Sequence, residues 1–369
     1  MSQIITPVMG AFTPVKYSLK LVELLYNDTL YPSITNTQYE GTIKEAGDRV
    51  RVRTIGKISL SAYTKGMQLV KQELTPTSED LIIDQQQYFS FGVDDVDKIQ
   101  NDISAINEYA ATTKRDIAEL IDTDILAYGR KQVLSANMMG LTAGYATGTV
   151  SVAATTGVVT GAGTTFTAAM VGGILTSTTL TASYLVTAYT SATSITIKDL
   201  DGIAYTGGAV TGEAYVLNGD APVALTKSNV YDKLVDLSTK LDQALCPTEG
   251  RFIVVNGALK GILRKAPEFI PAVNSAYEGV AIKGLLGEVA GFKVFQSELV
   301  DGNNTTGYWY IAGTKEAIAF ATQISKVSVV PSEADPNSFI TTCKGLLVYG
   351  RKVFAGNRPR LAVMRATIS

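Results

Sequence analysis

Arg49, Arg51 and Arg53 alternate with Val50 and Val52, the pattern in this chain with the clearest capacity for recognition chemistry. A strand places every second side chain on one face, so the three guanidinium groups would form a row. Planar guanidinium forks bind carboxylates and phosphates through paired hydrogen bonds. Three readings follow: a solvated strand face, a contact with carboxylates on a neighbouring subunit, or a contact with nucleic acid. Lys57 and Lys65 lie further along the same stretch and join the row as candidate intersubunit contacts. Asp94, Asp95 and Asp97 could in principle bind a divalent cation. The favoured reading is helix capping, with Asp94 as N-cap and Asp97 in the first turn, where the helix dipole favours a carboxylate. Asp199 and Asp201, beside Gly202, suit either a calcium turn or an ordinary acidic loop, and the loop is favoured.

Other chemistries are removed by composition. The chain has no histidine, which excludes Ser-His-Asp and Cys-His catalysis and His-ligated metals. Cys246 and Cys343 form no CxxC pair and read as buried thiols in a reducing cytoplasm. Gly56-Lys57 has no glycine at the upstream spacing of a phosphate-binding loop. Gly161 and Gly163 read as a turn, and no GxSxG elbow occurs. The net charge of −2 lacks the basic excess of a protein that grips nucleic acid through its phosphates. The N-terminus has no basic region ahead of an apolar run, and no stretch approaches the ~18 apolar residues of a membrane span. The expectation is a non-enzymatic chain with no cofactor and no membrane partner, made in the cytoplasm.

The elements that would position these residues are read from periodicity. Val15 to Tyr26 is a helical candidate within an arm, and Thr29 to Thr37, containing Pro32, reads as extended. The arginine strand and Ile58 to Leu60 rise to a polar tip at Ser61 to Gly66, with Met67 to Thr75 as return strand. Such a hairpin is marginal in isolation and needs a partner surface. Leu81 to Phe91 is a further strand region. Val96, Ile99, Ile103, Ile106, Ala110, Thr113, Ile117 and Leu120 then form one apolar helical stripe, with the helix running to Tyr128 and stopping at Gly129. Between residues 141 and 217 the texture changes: 19 residues are Thr and four are charged, with β-prone runs at Thr149 to Val152, Gly157 to Thr160, Tyr184 to Ala188 and Ser194 to Ile197. This predicts a small all-β module placed within an α/β chain. Beyond it, Val230, Leu234, Leu237, Leu241 and Leu245 line a helix that ends by Pro247. Arg251 to Asn256 is a buried-type strand and Ala258 to Lys265 a helix. Gly291 to Gln296 and Tyr308 to Ala312 are strands, Thr314 to Ala321 a helix, and Ser328 to Ser369 largely extended.

The stretch from Phe91 to Gln100, with Ile103, Tyr109 and Asp116 to Leu126, resembles the spine-helix region of tailed-bacteriophage coat proteins. Gly284 to Gly287, Gly291 to Ser297 and Gly345 to Val353 are similar to the loop and strands that follow in that family. The resemblance implies an α+β chain of the Hong Kong 97-like capsid fold. Its parts would be an N-terminal arm (1–39), an extended E-loop hairpin (40–78) and a peripheral domain with the spine helix (79–140). An inserted β-rich domain (141–219), an axial domain (220–325) and C-terminal strands returning to the peripheral domain (326–369) would follow. Gly161 to Phe166 and Ser191 to Ile197 resemble small β modules of phage virion proteins.

The implied function is that of a major capsid protein, self-assembling as pentamers and hexamers into an icosahedral or prolate head. Separate scaffolding, portal and decoration proteins would be partners, and packaged double-stranded DNA would be met by weak non-specific contact. The chain would reside in the virion after synthesis in the host bacterial cytoplasm. Two alternatives are an encapsulin-type nanocompartment shell and an adhesin or tail-fibre protein built around the β module.

Overall fold

The computed structural model describes residues 30–39, 49–54, 62, 65–68, 77–94, 104–177, 179–180, 182–200, 202–266, 287–330 and 340–369. The helical candidate at 15–26, Lys57 and the strand at 58–60, most of the 67–75 return strand, Asp95, Asp97, Asp201, the helix turns before Ser104 and residues 284–286 lie outside them. The first elements in chain order are β1 (Arg49–Thr54), β2 (Thr77–Ile82), β3 (Gln85–Asp94), α1 (Ser104–Gln132) and β4 (Met138–Met139). Next come β5 (Leu141–Tyr145), β6 (Thr149–Val152), β7 (Val158–Ala162), β8 (Ile174–Ser177), β9 (Tyr184–Ser191), β10 (Ser194–Asp199), β11 (Val210–Glu213) and β12 (Tyr215–Asp220). They are followed by β13 (Val223–Leu225), α2 (Val230–Gln243), β14 (Arg251–Val255), α3 (Gly257–Lys265), β15 (Glu288–Val289) and β16 (Phe292–Gln296). The last are β17 (Gly302–Asn303), β18 (Gly307–Thr314), β19 (Ala319–Val330), β20 (Ile340–Lys352) and β21 (Leu361–Ile368). The described residues divide into two compact units, one of 35–116 with 318–356, the other of 30–34, 117–317 and 357–369.

In the first unit, β20 lies between β19 and β3, antiparallel to both. β1 pairs antiparallel with β2, whose Thr77–Ile82 lies just beyond the expected 67–75 return strand, most of which is outside the described residues. Leu81, Ile83, Ala319, Ala321 and Phe354 form the core, with Val50, Val52, Tyr39 and Val348 packed against it. Close backbone packing shows at Gly350, where an added Cβ would lie 2.3 Å from the Ile82 carbonyl oxygen. The helix expected over 314–321 is absent. Ala317 N–H donates to the Thr314 carbonyl in a turn, and the buried Ala319 to Ala321 run opens β19. A run buried on both faces reads alike as helix or strand, and here the thirteen-residue partner β20 decides for strand.

In the second unit, β5 to β12 form one antiparallel sheet in the order β11-β6-β7-β10-β9-β8-β12-β5. Val150, Val152, Val159, Phe166, Leu175, Val186, Ile195, Ile197, Tyr215 and Leu217 close a core of its own. The alternation at β6, β7 and β10 aims one set of side chains inward and leaves threonines outside. Ser183 joins this sheet to the end of α1. Its N–H donates to the Lys131 carbonyl (3.0 Å) and its hydroxyl to the Val133 carbonyl (3.0 Å). A mixed sheet follows in the order β13-β21-β18-β14-β16-β15. Every residue of β14 is buried, as expected of a central strand. β21 pairs with β18 and β13 in this sheet, while β20 pairs with β3. The C-terminal stretch is therefore divided between two sheets and is not the single return expected.

The turn after α2 is held by one buried side chain. Arg251 is buried, and its guanidinium donates to the Pro247 carbonyl (2.8 Å), the Cys246 carbonyl (2.7 Å), Ser238 Oγ (3.1 Å) and Asp242 Oδ1 (2.7 Å). Leu245, expected on the buried stripe, is 86% exposed. The helix stops two residues earlier, and Leu245 takes a left-handed φ of 57° so that Cys246 N–H can reach the Leu241 carbonyl. A second cluster sets Trp309 beside two guanidinium carbons, 5.3 Å from that of Arg130 and 4.8 Å from that of Arg365. Arg130 pairs with Asp301, and Arg365 with Asp220 at 2.6 Å. Burial pushes Asp220 up and Arg365 down against their mutual attraction, so this pair holds geometry more than it adds stability.

Helix α1 is described over 29 residues, about 43 Å at 1.5 Å per residue. It passes through Gly129, whose cost of about 1 kcal/mol in a helix is outweighed by the burial of the turns around it. Its buried side in the second unit carries Ala118, Ile121, Asp122 and Ile125, whereas Leu120, expected on the stripe, is exposed. Asp122 explains the shift. Its carboxylate accepts the N–H groups of Leu30 (3.0 Å) and Tyr31 (2.9 Å), capping a helical turn at Tyr31–Ile34. The 29–37 stretch is thus not wholly extended, because Pro32 fits a first helical turn, where its missing N–H is not needed. Burial pushes the Asp122 carboxyl above its ordinary range, opposed by the two backbone N–H groups.

Two outcomes follow. Asp122→Ala leaves the buried Tyr31 N–H and the half-buried Leu30 N–H without their acceptors and should cost about 1–3 kcal/mol in denaturant unfolding, with faster hydrogen exchange at residues 30–34. Unchanged exchange there would show that the cap does not hold the segment. Leu245→Gly removes the left-handed strain and should raise unfolding stability by about 1 kcal/mol. A loss would mean that the Leu245 side chain stabilises the folded subunit.

Candidate functional site

The alternation of β1 sorts its side chains as a strand next to a core requires. Val50 and Val52 turn toward Leu81, Ile83 and Phe354, which leaves Arg49, Arg51 and Arg53 on the exposed face. Across the hairpin Arg51 stands opposite Asp80, Val52 opposite Glu79 and Arg53 opposite Ser78. Arg51 grips Asp80 with both arms of its fork, Nε to Oδ1 at 2.8 Å and Nη2 to Oδ2 at 3.1 Å. Arg49 Nη1 lies 3.8 Å from the same carboxylate. Glu79, on the other face of β2, accepts the Ala355 N–H at 3.1 Å. The side-chain hydrogen bond from Arg51 holds the Asp80 carboxyl below its ordinary value, with further attraction from Arg51, Arg49 and Lys352.

The row predicted from sequence is therefore one face of a paired hairpin, and its central guanidinium is engaged within the chain. Asp80 was missed because it belongs to a strand whose register the sequence does not display. The signal available was the acidic Glu79-Asp80 pair following a strand of arginines. Lys65 sits in an exposed turn with Gly66, while Lys57 lies outside the described residues. Asp94 is the last residue of β3, opposite Ile340, and Asp97 lies outside the described residues.

Asp199 closes its own loop, its Oδ1 accepting the Ile203 N–H at 3.0 Å, and its Oδ2 pairs with Lys131 at 3.0 Å. No group of three or more His, Cys, Asp or Glu side chains suited to a metal occurs among the described residues. Cys246 and Cys343 are buried free thiols, and burial pushes both above the ordinary thiol range, the opposite of an activated nucleophile. No described helix is long and apolar enough to cross a membrane. What this surface offers is charge and hydrogen-bond recognition.

The class to which this architecture belongs emerges from solved structures: the chain has an α+β fold shared with phage capsid chains. A Mycobacterium phage Che8 chain matches with a TM-score of 0.55 at 20% identity, covering 91% of this chain and 90% of that one. A chain of the cyanophage P-SCSP1u capsid matches with a TM-score of 0.51 at 13% identity, covering 100% and 93%. A chain from the mature capsid of bacteriophage PhiM1 matches with a TM-score of 0.52 at 11% identity, covering 92% and 87%. No protein-family model and no curated protein sequence matches the chain.

The fork has a measurable consequence. The unfolded Asp80 carboxyl should titrate near its ordinary 3.8 and the folded one lower. The contribution of the pair is then present above that value and lost as pH falls through the folded pKa. Arg51→Ala should return the Asp80 carboxyl toward its ordinary value in a 13C-carboxyl NMR titration of the subunit. An Asp80 resonance insensitive to the substitution would show that the fork does not form in solution.

Proposed function

We propose that the chain is the major capsid protein of a tailed bacteriophage, a structural subunit and not an enzyme, which self-assembles into the shell around the genome. The observation that carries this reading is the breadth of the likeness, which covers 91–100% of this chain and 87–93% of the phage chains. In the Hong Kong 97-like scheme, residues 1–39 serve as the N-terminal arm and 40–78 as the E-loop, of which β1 is the rising strand. Residues 79–140 form the peripheral domain around the spine helix α1, joined by β19 and β20. Residues 141–219 are an inserted β domain, and the axial domain starts near 220 and takes β21 as one of its strands. Pentamers and hexamers of the chain are its principal contacts. Scaffolding, portal and decoration proteins and packaged DNA are further partners, and the virion is its location.

A closed shell places one chain in several slightly different environments, which suits extended hairpins projecting from a rigid helix-and-sheet body. Arg49, Arg51 and Arg53 are the exposed candidates for carboxylates on a neighbour, Arg49 and Arg51 also facing Asp80 within the chain. Negative-stain electron microscopy of the purified chain, with scaffold or crowding agent where required, should show closed particles tens of nanometres across. Trimers or monomers under all such conditions would overturn the capsid reading in favour of an adhesin. Particles that carry enzymes instead of nucleic acid in infected cells would favour a nanocompartment. Arg53→Glu should leave the circular dichroism and melting temperature of the subunit unchanged while reducing particle yield at least tenfold. Normal yield would remove the arginine row from the assembly interface.

A further inference from the structure

A cavity of about 280 Å³ opens where the antiparallel β5–β12 sheet meets the end of α1, lined by Leu134, Ser135, Thr176, Ser177, Tyr215 and Arg358, among others. Arg358 is the only charged residue in that lining. Its Nε donates to the Gln132 carbonyl at 2.9 Å, which fixes the guanidinium plane. No carboxylate pairs with it among the described residues. Burial pulls its pKa down accordingly. Arg358 is half-buried, and an anion in the cavity would meet a guanidinium that no described carboxylate engages. The cavity wall supplies more donors. Ser177 Oγ accepts the Leu180 N–H at 3.2 Å, which leaves its own O–H to donate. Thr176 spends its hydroxyl proton on the Val216 carbonyl at 3.3 Å and is not needed. Leu134, Leu180 and Tyr215 give the cavity an apolar side.

We infer that this cavity is a binding site for a small oxyanion, a carboxylate or a phosphate, held by the Arg358 fork with Ser177 as second donor. The site stands at the root of the Thr-rich sheet, so its occupant ties that sheet to the helix end beside the Ser183 bonds. The inference rests on the cavity and its charge, and it holds whether or not the chain builds a shell. A free phosphate and a carboxylate from another chain share the chemistry, and the test separates them.

The full-length chain is titrated calorimetrically with inorganic phosphate and with acetate, at constant ionic strength set by chloride. Saturable binding of one anion per chain is expected, with slower hydrogen exchange at 132–136 and 176–180. Saturation by phosphate identifies a free inorganic ligand, and saturation by acetate alone identifies a carboxylate. Arg358→Gln should weaken binding at least tenfold, and Arg358→Lys should do so less, because it keeps the charge but loses the fork. Ala214→Leu, a change at an exposed position in the lining, narrows the cavity without touching the charge and should also weaken binding. No saturable binding of either anion, or binding unchanged in Arg358→Gln, would overturn the assignment.

Discussion

The pairing of β3 with β20 is the constraint on which the first unit depends. It sets Gln85 opposite Tyr349 and Asp94 opposite Ile340, and β19 then adds to the far edge of β20. Strands from opposite ends of the sequence must meet before the Leu81, Ile83, Ala319 and Phe354 core can close. Loop closure of that length is expensive for an open chain. The intervening residues reduce the distance to be searched, because β5 to β12 pair with one another and complete a core drawn from residues 150–217.

The same logic governs the exposed arginines. β1 has a position only because β2 pairs with it and because Val50 and Val52 have a core to enter. Once those valines are buried, period two forces the arginines outward. Nothing about the arginines themselves chooses their face. Asp80 then fixes the central guanidinium, so the hairpin presents an ordered charged surface in place of three independent flexible cations. An ordered surface loses less side-chain entropy on meeting a partner, which suits a contact repeated many times in an assembly.

Buried arginines play a different part in the second unit. Arg251 donates to the Cys246 and Pro247 carbonyls in the turn after α2, and Arg130 and Arg365 both lie against the Trp309 ring. Arg358 is half-buried and has no carboxylate partner among the described residues. A planar group with five donors can satisfy several carbonyls at once, which a lysine cannot do. In a chain with 18% charged residues, placing this many guanidinium groups inside is an unusual allocation, and it follows from geometry.

Much of the fold was legible because period and composition report burial directly. The β runs at Thr149–Val152 and Ser194–Asp199, the buried strand Arg251–Val255 and the helix over Val230–Gln243 all follow from side chains whose hydrophobic faces repeat at two or about 3.6 residues. The arginine row was legible for the same reason. What the sequence could not determine was every feature that depends on a distant partner: the register that sets Arg51 opposite Asp80, the strand in place of a helix after Thr314, the inward turn of Asp122 and the outward turn of Leu120 and Leu245. A side chain's type reports its cost of leaving water, and so determines whether it seeks burial. Which backbone group or carboxylate meets it there is decided only when the chain has closed, because that partner's position is a property of the tertiary structure.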